Sequence, residues 1–152
     1  MAIDIVSKII SGGKGIITAE LPDQKQLDYE YDLEENSDKN KEKGFGLIIS
    51  EGDAGASRLG HVTVNQTFQV ILTTRFFNRD DEVQQRTAID RVYLEMHCLL
   101  KVFIRSKMGV TPSSDGCVDL VAFNSFEPLE FIDDNTTVVL RLNLLVSYRY
   151  LA

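Results

Sequence analysis

Two histidines, two cysteines and a Gly12-Gly13-Lys14-Gly15 stretch are the parts of this chain whose residue types most often do chemistry. Nucleophilic hydrolysis needs a Ser or Cys within reach of a His base that an acid orients. The chain has no G-x-S-x-G elbow, and its only bases of that kind are His61 and His97. Cys98 and Cys117 lie far apart in apolar surroundings, with no CxxC or Cys/His cluster, which predicts reduced core cysteines. His97, between Met96 and Cys98, is expected to be a hydrogen-bonded histidine at the core edge. His61 follows a glycine-rich stretch without a clustered carboxylate or thiol, so a zinc site is not expected.

The glycine stretch fails as a phosphate loop on three counts. A Walker loop needs four residues between its glycines, a Ser or Thr after its Lys, and a preceding strand. The acid pairs Asp80-Asp81 and Asp133-Asp134 stand where turns and helix N-termini want carboxylates, which is a commoner role than general acid–base catalysis. The reading is therefore of a non-enzyme, with no catalytic, metal-binding or cofactor-binding residues.

What remains to be positioned is an apolar pattern. Residues 3–10 place Ile3, Val6 and Ile10 at helical spacing ahead of Ser11-Gly12-Gly13, which predicts a short N-terminal helix broken by the glycines. Leu27 to Leu33 alternates Leu and Tyr with acids, as a half-buried strand does, and Phe45 to Ser50 is its expected neighbour. Between them Glu34 to Lys43 has no apolar residue and is expected to be a mobile loop, either a solvated hairpin tip or a segment that orders on a partner. Gly52 to Gly60 is read as a second mobile loop.

From Val62 to Phe77 alternation places Val62, Val64, Phe68, Val70, Leu72 and Phe76 on one side, and Thr63, Asn65, Thr67, Gln69, Thr73 and Arg75 on the other. Asp81 and Gln84 have capping-box spacing, and a long amphipathic helix follows through Ile89, Val92, Met96, Leu99, Leu100 and Phe103 to an end near Lys107. After a Pro112-to-Gly116 turn, Cys117 to Phe123 and Thr136 to Leu151 read as a closing strand pair. The fold class is α+β, a mostly antiparallel sheet packed on one long helix plus a short N-terminal helix. A strand of 15 or so residues spans roughly 50 Å, more than the ~40 Å width of so small a domain, so bulges or projection are expected.

Length and composition agree with one domain: 152 residues, 43% hydrophobic and 26% charged. A net charge of −7 opposes general affinity for nucleic acid, which needs a basic patch, and lets DNA pass without sticking. No stretch suits a bilayer span, and the acid at Asp4 argues against a secretory leader, so a cytoplasmic product without a membrane role is expected.

The run from Val62 through Phe77 into Asp81 to Lys107, then Cys117 to Leu151 with its ending Val138 to Tyr150 (Val-Val-Leu-Arg-Leu-Asn-Leu-Leu-Val-Ser-Tyr-Arg-Tyr), resembles the tail terminator (tail completion) proteins of long-tailed bacteriophages. The resemblance covers about two-thirds of the chain by order of elements. It implies a homo-oligomeric ring, usually hexameric, that caps the tail tube, contacts the tube protein and the neck or connector protein, and lets DNA through without specific binding. The implied location is the virion, after assembly in the host cytoplasm. The acidic Glu34 to Lys43 loop looks longer than that pattern needs. The alternatives are a protein-binding adaptor or a head–tail connector component. For a ring, Arg75, Arg141 and Arg149 are expected either to meet Asp28, Glu30 and Asp32 of a neighbouring subunit or to stand as solvated charges on the sheet face.

Overall fold

The computed structural model describes residues 2–26, 43–58, 60–78, 80–114, 116–132 and 136–151. In chain order the elements are α1 (Ala2–Glu20), β1 (Lys25–Gln26), β2 (Lys43–Arg58), β3 (His61–Arg75), α2 (Glu82–Ser106), a 3₁₀ turn (Lys107–Gly109), β4 (Cys117–Phe126), β5 (Glu130–Ile132) and β6 (Thr137–Leu151). The sheet runs β1-β2-β3-β6-β4, with β5 also paired to β6. Every pairing is antiparallel except the short β1–β2 contact. This is the expected α+β class.

The N-terminal helix is not short. It runs straight through Ser11-Gly12-Gly13 to Glu20, because the glycines serve contact rather than termination. Ile5, Ile9, Gly13 and Ile17 form an i, i+4 row facing the core, with the three isoleucines at 0% exposure. A Cβ on Gly12 would lie 2.2 Å from the Met108 carbonyl oxygen, and one on Gly13 would lie 2.6 Å from Leu47 Cδ2. Helix and sheet approach so closely only where side chains are absent. Pro22 lies just past the last turn, where a helix cannot easily continue.

Asp81 caps α2 by accepting from the Val83 and Gln84 backbone N–H groups at 3.0 and 3.2 Å. The reciprocal half of the expected capping box is displaced. Gln84 Oε1 accepts from Phe77 N–H and Asn78 N–H, while Asp81 N–H donates to the Asn78 carbonyl, so the preceding turn rather than the cap residue closes the box. Ala88, Val92, Met96, Leu99 and Phe103 make the buried stripe. Lys107 and Met108 both adopt the left-handed conformation ahead of Gly109, which ends the helix near the expected place and turns Met108 into the core at 0% exposure.

β3 and β6 pair without a register shift from His61 opposite Leu151 to Arg75 opposite Thr137, a ladder roughly 50 Å long at ~3.3 Å per residue. The irregularities fall at its flanks. β2 shifts between Ile49 and Gly52 and between Ala54 and Ser57, and β4 shifts between Val118 and Leu120 and between Phe123 and Ser125. The stretch from Gly52 towards Gly60, expected to be a loop, is strand as far as Arg58. Its small residues satisfy their backbone by pairing with His61 to Gln66, a gain that local propensity does not register. The strand expected at Leu27 to Leu33, and nearly all of the loop expected at Glu34 to Lys43, lie outside the described residues.

Both helices pack on one face of the sheet. Phe45, Leu47, Phe68, Val70, Leu72 and the even-numbered residues Val138 to Tyr148 of β6 meet Ile5, Ile9 and Ile17 of α1 and the stripe of α2. Fully burying each large apolar side chain stabilises the fold by about 1.5–3 kcal/mol. This layer fixes which residues of β3 and β6 point away from the helices. Among the described residues no helix is long and apolar enough to cross a membrane.

Candidate assembly surface

Because strand side chains alternate, seating the even residues of β3 and β6 on the helices sends the odd ones to the opposite face. Among the described residues no helix lies on that outer face. Its middle holds a hydrogen-bonded row across three strands. Gln69 Nε2 donates to Glu127 Oε1 at 3.0 Å and to Asn143 Oδ1 at 3.1 Å, and Asn143 Nδ2 donates to Ser125 Oγ at 3.1 Å. Further along, Ser147 Oγ donates to Asn65 Oδ1 at 2.5 Å. Gln69 is only 7% exposed, so its pairing avoids the cost of a buried unsatisfied amide. Towards the Arg75 end a small apolar cluster forms from Ile71 and Val139, with Ile48 and Ile132 packed on it.

The three arginines expected at an interface share this face but do not come together. Arg141 lies opposite Ile71 and forms an ion pair with Glu130 of β5. Arg149 lies opposite Thr63, near the other end of the ladder, and its Nε is 3.0 Å from Asp119 Oδ2. The Cys117 thiol contact and then the Asp119 charge raise the Arg149 guanidinium above its ordinary value, so it stays charged. Arg75 ends β3 opposite Thr137. Asp28, Glu30 and Asp32 lie outside the described residues. Two of the expected cations thus have acidic partners within their own chain, which hold their side chains against the sheet.

Other chemistry-bearing residues take different places from those expected. Cys98 is exposed on α2 instead of buried, because Met96 and Leu99 take the inward positions on either side of it. Cys117 is half-buried at the start of β4. His97 is exposed, and its contact is aromatic: its ring meets Phe126 edge-on at 5.4 Å, beside Tyr93 at 5.6 Å from the same ring. His61 lines a cleft of about 170 Å³ with Ser113, Cys117, Arg149 and Tyr150. Gly12-Gly13-Lys14-Gly15 lies inside α1. Among the described residues no three His, Cys, Asp or Glu side chains gather as a metal site.

An open groove of about 530 Å³ lies between α1 and the chain after the 3₁₀ turn, where Lys8 Nζ donates to Ser113 Oγ at 3.0 Å. Sequence reasoning missed the exposed apolar residues Leu94 and Ile104 on α2 and Leu120 and Phe123 on β4. The period of α2 could have exposed the first two, since they stand off its buried stripe. On β4 the register shift between Val118 and Leu120, which alternation does not foresee, puts Leu120 opposite Ser147 on the outer face, while Phe123, opposite Leu144, is exposed on the helix-facing side. A scan against protein-family models and a search of curated proteins return no match for this chain.

Proposed function

We infer that the chain is a structural assembly protein that forms a ring, in the manner of a phage tail terminator that caps a tail tube and joins it to the neck. The observation that carries the reading is the two-layer build. Both helices back one sheet face, and the opposite face is a pre-ordered surface of cross-strand hydrogen bonds and side chains held by ion pairs. A polar face ordered in advance loses little side-chain entropy when another protein meets it, as wet, specific interfaces require. The order of elements that resembles the terminators, with its long unshifted ladder between β3 and β6, stands beside that observation. No chemistry at a reacting centre is needed for such a role.

Negative-stain electron microscopy of the concentrated protein tests the reading. Closed rings of uniform diameter with a central opening are the expected result. A field of small single particles at every concentration contradicts it.

A further inference from the structure

The residues that β6 sends to the middle of the outer face read nearly the same from either end. In order they are Arg141, Asn143, Leu145, Ser147 and Arg149. Leu145 stands at the centre, between Thr67 of β3 and Ala122 of β4. Two residues to either side of it comes a cross-strand side-chain hydrogen bond, Gln69 to Asn143 on one hand and Ser147 to Asn65 on the other. Four residues to either side comes an ion pair, Arg141 with Glu130 and Arg149 with Asp119. Both acids stand on the same flank of β6, because β5 and β4 pair with the edge of β6 that β3 leaves open.

The centre of this row is its apolar part. Leu145 and Ala122 are half-buried, and Leu120, opposite Ser147, is 54% exposed. An apolar centre with a polar rim is the anatomy of a protein interface. Charge does not oppose contact between copies: in a chain of net charge −7, the two arginines of the row stand against only three acids, Asp119, Glu127 and Glu130. From Arg141 to Arg149 the row is roughly 26 Å long at about 3.3 Å per residue, and four strands at about 4.8 Å make the patch roughly 20 Å wide, or about 500 Å². Stable dimers bury about 800 Å² from each partner, so a pairing that depends on concentration is expected.

A surface patterned alike from both ends is complementary to itself once one copy is turned end over end. We propose that two copies of this chain pack outer face to outer face, about a twofold axis that lies in the interface and crosses β3 and β6 at Thr67 and Leu145. Leu145 then meets its own counterpart, and the ion pair at each end of the row meets the one at the opposite end of the other copy's row. The proposal rests on the reading of the outer face as an assembly surface and names its occupant, a second copy. Being isologous, the contact joins copies in pairs and stands beside the head-to-tail contact that closes a ring.

A charge swap on the axis tests it, by sedimentation velocity over a wide concentration range. Leu145→Glu alone and Leu145→Lys alone each set like charges against each other, whereas an equal mixture sets opposite charges together. The unaltered protein is expected to pair, each variant to pair roughly tenfold or more weakly, and the mixture to recover pairing as a mixed dimer. If the unaltered protein runs as rings, the same comparison is read on their mass. Circular dichroism checks that each variant keeps the native signal, and Thr67→Glu with Thr67→Lys serves if the Leu145 variants do not fold. Variants that pair as tightly as the unaltered protein overturn the contact, and so does a mixture that recovers nothing, since a residue off the axis does not meet itself. Either result leaves the ring reading standing where the unaltered protein still forms rings. An unaltered protein that pairs but builds nothing larger supports the contact and contradicts the ring reading, and one that stays monomeric at every concentration overturns both.

Discussion

Tyr148 joins the two strands that define the molecule. Its hydroxyl donates to Gln66 Oε1 at 2.8 Å, with the ring 3% exposed on the helix-facing side of β6. Burial first, and then neighbouring Tyr150, push its phenol above the ordinary tyrosine value. The folded state therefore holds this proton more tightly than the unfolded chain does. Its contribution to stability is fully present below the unfolded tyrosine value, near 10, and is lost as pH rises through the folded value. Tyr148→Phe is expected to cost about 0.5–1.5 kcal/mol at neutral pH through the lost hydrogen bond, and to flatten the fall of the thermal midpoint above about pH 10. Midpoints for both proteins across the alkaline range check this; equal slopes would show that another group governs alkaline unfolding.

At the scale of elements, α1 makes the clearest demand on particular residues. A methyl group on Gly12 would meet the Met108 carbonyl, whereas one on Gly15 would meet nothing within 4 Å. Gly12→Ala is expected to destabilise the protein by about 1–3 kcal/mol in urea unfolding, despite the better helix propensity of alanine. Gly15→Ala is expected to stabilise it by about 0.5–1 kcal/mol. Equal effects of the two would remove close packing as the reason the helix carries glycines.

The same helix shows where sequence reading succeeds and where it stops. β3, α2 and β6 are legible because their apolar residues recur at the period of the element that buries them. Gly12 and Gly13 look like a helix stop, because what keeps the helix going is a carbonyl and a leucine far away in the chain. The small residues of β2 beyond Gly52 look like a loop, because the strand that pairs with them is invisible to local propensity. Of the candidate surface, alternation alone places Arg75, Arg141 and Arg149 on one sheet face. It does not reveal that Glu130 and Asp119 hold two of them, since β5 is only three residues long and Asp119 sits in a bulge of β4.

At the scale of the whole molecule, the two faces of the sheet differ in what each can do. The helix-backed face supplies the core, and the opposite sheet face presents a fixed polar pattern, the surface we propose for contact with another protein. The proposal that follows is that copies of the chain close a ring. Its most direct test is the native mass by light scattering over a wide concentration range in moderate salt. The account predicts one assembled species that, for a hexamer, is six times the 17.1 kDa chain, about 103 kDa, and keeps that mass as concentration rises. A mass of 17.1 kDa at every concentration contradicts it.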